Sequence, residues 1–294
     1  MNRNEYMKCT LCARNCGVDR EKGELGYCKS TSEMRICRAD LHRWEEPIIS
    51  GEKGSGAIFF SGCSLGCVYC QNREISRSAV GDTVSEIELA DIMLSLRDRG
   101  AHNINFVTPT HFAPSIITSV KIARESGLDI PIIYNTGAFD TPSTIKALAD
   151  TVDVYLPDYK YYLSKTASRL SSAPKYPEVA FSAISEMVSQ RPVPVLENGL
   201  IKRGVLVRFL LLPGHLAETK LAVSKVFREF KNNVYYSLMG QYTPPADMTP
   251  PLNRRVTRGE YDELVNYAAD LGIVNGFTQE LDLATEEYIP KFKT

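Results

Sequence analysis

Along this chain, short apolar runs alternate with longer stretches in which apolar residues return every three or four positions. From residue 56 the runs are GAIFFSG, NINFV, IPIIYN, VDVYLPD, VLVRFLLLPG and NVYYSLMG. Near-continuous apolar runs bounded by turn residues predict strands covered on both faces. The stretches between and after them include VSEIELADIMLSLRDRG, PSIITSVKIARESG, TPSTIKALAD, PEVAFSAISEMVSQ, ETKLAVSKVFREF and TRGEYDELVNYAADLG. In the first stretch, Ile87, Ala90 and Leu94 fall at helical spacing, Ser85 and Glu88 have capping-box spacing, and Gly100 stands where a helix stops. Thr141 with Pro142 predicts another helix start, Val223, Val226, Phe227 and Phe230 form an apolar stripe, and Thr257 with Glu260 repeats the capping box.

Six strand–helix units predict an α/β fold with a parallel sheet. They fall short of the eight units of a closed barrel, which leaves an incomplete barrel or an open doubly wound sheet. Either architecture binds ligands at the carboxyl ends of its strands.

Residues 1–45 lack the alternation, and cysteine organises them instead. CTLCARNCGVDREKGELGYC carries Cys9, Cys12, Cys16 and Cys28, and SGCSLGCVYCQN carries Cys63, Cys67 and Cys70. Cys37 stands alone. The expected division is a four-cysteine metal-binding segment over 1–45 and a barrel with a C-terminal helical extension over 46–294. The 34 basic and 35 acidic side chains give a net charge of −1, so no general nucleic-acid or anionic-membrane surface is expected. No apolar run approaches the roughly 18 residues of a membrane helix. The start, MNRNEYMKCT, has no signal-peptide core, so a cytoplasmic protein with reduced thiols is expected.

Clustered thiols in a reducing setting read as metal or redox sites. The trio of Cys63, Cys67 and Cys70 could share a helix face, but Gly62 and Gly66 argue for a loop. Three thiolates leave one position open on a four-site centre, the mark of a catalytic metal rather than a structural one. Structural zinc with a distant fourth ligand and plain burial of three cysteines are the competing readings. Among the N-terminal four, C-x2-C followed by a third and fourth thiol fits one tetrahedral zinc or a second [4Fe–4S] cluster. His42, Trp44, Glu45 and Glu46 read as a solvated turn or as a lid, and His111 as an acid–base group or, more often for a lone histidine, one satisfied locally.

The spacing C-x3-C-x-aromatic-C, with Tyr69 before Cys70, resembles the signature of the radical S-adenosylmethionine (SAM) superfamily. GSGAIFFSGCSLGCVYCQNREIS, NINFVTPTHF, IYNTGAFD, VDVYLPDYKYY, VRFLLLPG and SLMGQY, with CTLCARNCGVDR, resemble the branch named as homologues of pyruvate formate-lyase-activating enzyme. The resemblance implies a partial (β/α)6 TIM-type barrel. It implies a [4Fe–4S] cluster on Cys63, Cys67 and Cys70, whose fourth iron is chelated by SAM. Reductive cleavage to a 5′-deoxyadenosyl radical is implied, with hydrogen abstraction from a protein, a glycyl radical enzyme among them, or from another substrate. A low-potential donor, flavodoxin or ferredoxin, would supply the electron. Tyr69 takes the aromatic position near the adenine. The family's Gly-Gly-Glu-Pro stretch falls on Phe106, Val107, Thr108 and Pro109, where only the proline is kept, so Thr108 or Thr110 would receive the SAM amino group. Asn135, Thr136, Asp158, Lys160, Arg208, Gln241 and Tyr242 match the strand ends that hold the rest of SAM. The departure at 106–109 favours the alternative, a metal-stabilised binding or scaffold protein on a degenerate barrel that does not cleave SAM.

Overall fold

The computed structural model describes residues 1–279 and Leu281, so the end of the expected 46–294 unit, residues 282–294, lies outside the described residues. Among the described residues, ten strands form the sheet: β1 (Met34–His42), β2 (Ser55–Phe60), β3 (Asp82–Val84), β4 (Ile104–Val107), β5 (Ile132–Thr136), β6 (Val154–Pro157), β7 (Val195–Glu197), β8 (Leu200–Leu210), β9 (Tyr235–Met239) and β10 (Gly276–Thr278). The six strands expected from the apolar runs are β2, β4, β5, β6, β8 and β9, and they lie side by side in that order, each parallel to the next. The architecture is a partial (β/α) barrel. β10 adds a parallel strand beyond β9; on the other side β1 runs antiparallel to β2, and β3, antiparallel to β1, forms the edge.

β1 lies within the segment expected to stand apart. Its alternation is interrupted by a register shift between Ile36 and Arg38, which turns Cys37 inward behind Ile36 and blurs the two-residue period. Cys37 ends among Ala57, Phe59 and Ile75, with its Sγ 3.6 Å from the Val80 carbonyl.

Local signals behave as the sequence suggests. Ser85 and Glu88 form a reciprocal capping box on the helix Glu86–Asp98, Thr257 and Glu260 do the same for Arg258–Asp270, and Thr141 caps the helix that begins at Pro142. The buried face of the first helix differs from the expected stripe. Leu89, Ala90, Met93 and Leu96 are buried, and Ile87 is 63% exposed. Apolar residues ring this helix, so spacing alone did not fix which side faces the sheet. In Leu216–Phe230, Val223, Val226 and Phe230 are buried as expected, with Phe227 packed at the margin.

The two-residue period of the central strands positions the site. Outward residues such as Ile132, Tyr134, Tyr155, Val207 and Phe209 join the main core. Inward residues change character along each strand. Ile133 precedes Asn135, Leu156 precedes Asp158, and Leu206 precedes Arg208. Ile133, Val154, Leu156, Ile201 and Leu206 close the lower part of the interior with Ile48 and Ile49. Polar side chains occupy the carboxyl ends above this plug, the edge at which (β/α) barrels bind ligands.

Candidate functional site

The cysteine trio follows β2 in an irregular loop, as Gly62 and Gly66 suggested. Gly62 has φ of +83°, and a Cβ there would lie 2.4 Å from both the Cys28 carbonyl oxygen and the Ser30 hydroxyl. The N-terminal cysteine segment therefore packs directly on the trio loop. Arg14 fastens the contact, donating to the Ser64 carbonyl at 2.8 Å and the Ser171 carbonyl at 3.0 Å, with its guanidinium 3.6 Å from the Tyr27 ring centre. Arg20, almost wholly buried, donates to the carbonyls of Ser30, Thr31 and His111. A Gly62→Ala variant should lose roughly 1–3 kcal/mol from overpacking and take up less iron on reconstitution. Wild-type denaturant midpoint together with wild-type iron content would contradict this packing.

Each sulfur of the trio accepts a hydrogen bond. The Leu65 amide donates to Cys63 at 3.3 Å, the Ser171 hydroxyl to Cys67 at 2.9 Å and the Ser76 hydroxyl to Cys70 at 3.5 Å. Because Ser171 gives its one proton to sulfur, it must accept from Tyr161 at 2.6 Å. By the same count Tyr161 accepts from Tyr69 at 2.7 Å, making a directed relay Tyr69–Tyr161–Ser171–Cys67. Burial pushes the Cys63 and Cys70 thiols up, and neighbouring thiols push them further. Buried thiols with donors already aimed at sulfur suit ligation by iron, which supplies the positive charge that the thiolates lack.

Facing the loop, Arg208 is the hub of a buried charge network. Its Nε donates to Asp158 at 2.8 Å, one terminal nitrogen to Asn135 at 2.5 Å and the other to Glu45 at 3.3 Å. The second Asp158 oxygen accepts from Lys160 at 2.5 Å. Asp158 and Lys160 turn to the same side, as expected of residues two apart, and their side chains are 18% and 15% exposed rather than solvated. Burial alone would raise the Asp158 carboxyl, but Arg208 and Lys160 outweigh it and hold it below its ordinary value. Lys160 stays raised despite burial because Asp158 and the Cys67 thiol lie beside it. Glu45 accepts from Asn105 at 3.1 Å, and burial pushes its carboxyl up. Glu45 and Glu46 therefore do not form a solvated turn. The strap Arg43–Pro47 folds over the open end of the barrel.

A cavity of about 290 Å³ lies between loop and network, lined by Cys67, Tyr69, Cys70, Val107, Asn135, Asp158, Lys160, Arg208, Gln241 and Tyr242 among others. Seven of the expected cofactor residues thus share one cleft. Tyr242 also donates to the Leu252 carbonyl and packs edge-on against Tyr69. Thr110 and Thr136 lie elsewhere. Thr136 follows the inward Asn135 and so faces outward, donating to the buried Asp140 at 2.6 Å, with Thr110 3.3 Å from it. Thr108 is not among the cleft residues; its amide donates to the Asn135 carbonyl. His111 is buried and held neutral with its pKa lowered to about 3, mainly by burial, and its Nε2 meets the Ser61 carbonyl at 2.7 Å. Glu45, Asn105, Tyr161 and Ser171 were absent from the sequence-derived set. Asn105 had a signal, being a polar residue at an inward position of an apolar strand.

All eight cysteines are free thiols. The N-terminal sulfurs also accept hydrogen bonds, Cys16 from the Tyr27 amide at 3.4 Å and Cys9 from Arg20 at 3.8 Å. Burial lifts the Cys12 thiol to about 12, and the Cys28, Cys9 and Cys16 thiols push it further. Among the described residues no three His, Cys, Asp or Glu side chains converge as a single-ion site. A cubane cluster gives each thiolate its own iron, so its ligands need not converge on one point. No described helix is long and apolar enough to cross a membrane.

Residues 57–186 match the family model described as the radical SAM superfamily. An uncharacterised protein of Methanocaldococcus jannaschii is 28% identical over 279 residues, covering 90% of this chain and 75% of its own. A radical SAM methyltransferase from Sphaerobacter thermophilus superposes with a TM-score of 0.52 at 15% identity, over 77% of this chain and 68% of that one. SuiB of Streptococcus suis bound to S-adenosylmethionine gives 0.51 at 13% identity, over 76% of this chain and 50% of that one, so the match spans half of SuiB. At these identities the structural likenesses show the fold.

Proposed function

We propose, for a chain that carries a radical SAM domain, that Cys63, Cys67 and Cys70 hold a [4Fe–4S] cluster and that the adjoining cleft binds SAM for reductive cleavage. When bound, the cluster supplies the electron that splits SAM into methionine and a 5′-deoxyadenosyl radical. The observation that carries this reading is the pairing of a hydrogen-bonded thiol trio with a buried charge network across one cleft at the strands' carboxyl ends.

The chain's own residues bind and orient. Lys160 and Arg208 are donors suited to the SAM carboxylate, and Asp158 and Asn135 are acceptors suited to its ammonium or ribose hydroxyls. Tyr69 and Tyr242 supply an aromatic wall for the adenine. The relay through Ser171 fixes the orientation of Cys67, and the strap Arg43–Pro47 limits water at the open end. Cys9, Cys12, Cys16 and Cys28 form a second thiol centre against the back of the trio loop, where it braces that loop. The motif likeness to activases supports a protein among the substrates and a flavodoxin or ferredoxin as electron donor.

The test separates the cosubstrate site from the cluster. Loss of one charge-assisted hydrogen bond costs about 1.5–3 kcal/mol, or roughly 10- to 150-fold in affinity. Asp158→Asn and Lys160→Ala, after anaerobic reconstitution, should keep wild-type iron content and absorbance while binding SAM more weakly by that factor. Unchanged SAM affinity in both variants would show the pair to be structural only.

A further inference from the structure

Beyond the Arg43–Pro47 strap, toward β9 and β10, the cleft continues into a second cavity of about 180 Å³. The two share Trp44, Glu45, Arg208, Met239, Gln241 and Gln279, so a molecule in one is a neighbour of a molecule in the other. What distinguishes the second cavity is unmet acceptors. Glu46 is 9% exposed and its Oε2 has no hydrogen-bond partner, and the buried Oε1 of Gln279 has none either. Both residues line the cavity.

The charges around Glu46 point the same way. Three carboxylates, Glu45, Glu46 and Asp158, gather around this end, with Arg208 and Lys160 beside them and the exposed Arg43 on the wall of the second cavity. Arg208 is ion-paired to Glu45 and Asp158, and Lys160 to Asp158. Arg208 lies near enough to act on Glu46 but spends its hydrogen bonds on Glu45, Asp158 and Asn135, so among the described residues Glu46 has no ion pair and its Oε2 stays without a donor. Buried acceptors without donors are costly, and an N–H-bearing cation placed between Glu46 and Gln279 removes that cost. Phe277 and Trp44 add aromatic surface to the walls, which favours a cation over an anion or a neutral group.

We propose that this second cavity is the substrate subsite and that it recognises a positively charged N–H donor, a primary ammonium or a guanidinium, through Glu46 and Gln279. The proposal rests on reading the adjoining cleft as the SAM site. It identifies the substrate class as a cationic amine, free or carried on a side chain, anchored next to the place where the 5′-deoxyadenosyl group is released.

The experiment uses the full chain, anaerobically reconstituted, at constant ionic strength. Binding of n-propylammonium, methylguanidinium, propionate and 1-propanol is measured by calorimetry with SAM present, and SAM binding is measured separately. One or both cations should bind, and the stronger of the two names the group. Propionate and propanol should not bind. Glu46→Gln keeps the shape and removes the charge, so cation affinity should fall about tenfold or more while SAM affinity stays at the wild-type value. Gln279→Met, at the cavity rim, should weaken the same cation by a smaller factor and guards against a folding defect in the first variant. Equal binding of propionate and propylammonium, or undiminished cation binding in both variants, overturns the proposal. Failure of wild-type protein to bind SAM would instead overturn the reading of the adjoining cleft, whatever the cations do.

Discussion

Arg208→Met is expected to cost about 3–5 kcal/mol of folding stability at neutral pH, because it strands buried carboxylates without their cation. Among the described residues, Arg208 is the one side chain that touches Asp158, Glu45 and Asn135 together. Methionine fills similar volume but leaves Glu45 with amide donors alone and Asp158 with Lys160 alone. Arg208→Lys should recover only part of the loss, since a single ammonium cannot span three acceptors as a planar fork does. The cost should depend on pH. Without Arg208 the folded-state pKa values of Glu45 and Asp158 rise, so the folded variant binds more protons than its unfolded chain. Its stability relative to wild type therefore improves as pH falls from 8 toward 5, as the carboxylates protonate. Urea unfolding across that range reads both effects. A loss below about 1 kcal/mol, the range of a solvated ion pair, would show that Arg208 does not hold a buried network together.

Cys67→Ala is expected to abolish the cluster of the trio and with it all SAM cleavage. Cys67 is the trio's most connected thiol, accepting from Ser171 at the end of the tyrosine relay and lying beside Lys160. Two remaining thiolates cannot hold a cubane that is built around three protein ligands and one open iron. Reconstituted variant should lose four irons per chain relative to wild type. Metal on Cys9, Cys12, Cys16 and Cys28 should survive, because those thiols sit on their own segment with their own donors. Zinc remaining there, or a second set of irons, then identifies the N-terminal centre. Ser171→Ala is the milder counterpart, since it removes one hydrogen bond to sulfur and keeps the ligand. A variant that retains wild-type iron after loss of Cys67 would show that this cysteine is not a ligand.

What the sequence disclosed and what it hid follow from range. Helix caps are contacts within four residues, so Ser85–Glu88 and Thr257–Glu260 could be read directly. The six parallel strands were legible because both of their faces are covered, which writes them as apolar runs. Asn135, Asp158 and Arg208 came from the motif resemblance, and the structure brings all three to one cleft. The two-residue period turns Thr136, which the motif resemblance had put beside Asn135, to the other face of its strand, where it meets Asp140. Glu45 was half legible, since two acids before a proline read as a turn or a lid, and only the closed geometry of the strap brings it to Arg208. The Tyr69–Tyr161–Ser171–Cys67 relay joins residues about a hundred positions apart, and no local pattern signals it. β1 was hidden by its bulge at Cys37, where the alternation that marks a strand breaks.

The central claim is that the thiol trio and the charged cleft together cleave SAM. Its most direct measurement is quantification of 5′-deoxyadenosine after anaerobically reconstituted protein is incubated with SAM and dithionite, with Cys67→Ala as the matched control. Wild type should give 5′-deoxyadenosine and methionine in equal amounts, and the control neither. Fully loaded wild-type protein that yields no more 5′-deoxyadenosine than the control would contradict the claim, and would favour a metal-stabilised scaffold that shares the barrel without its chemistry.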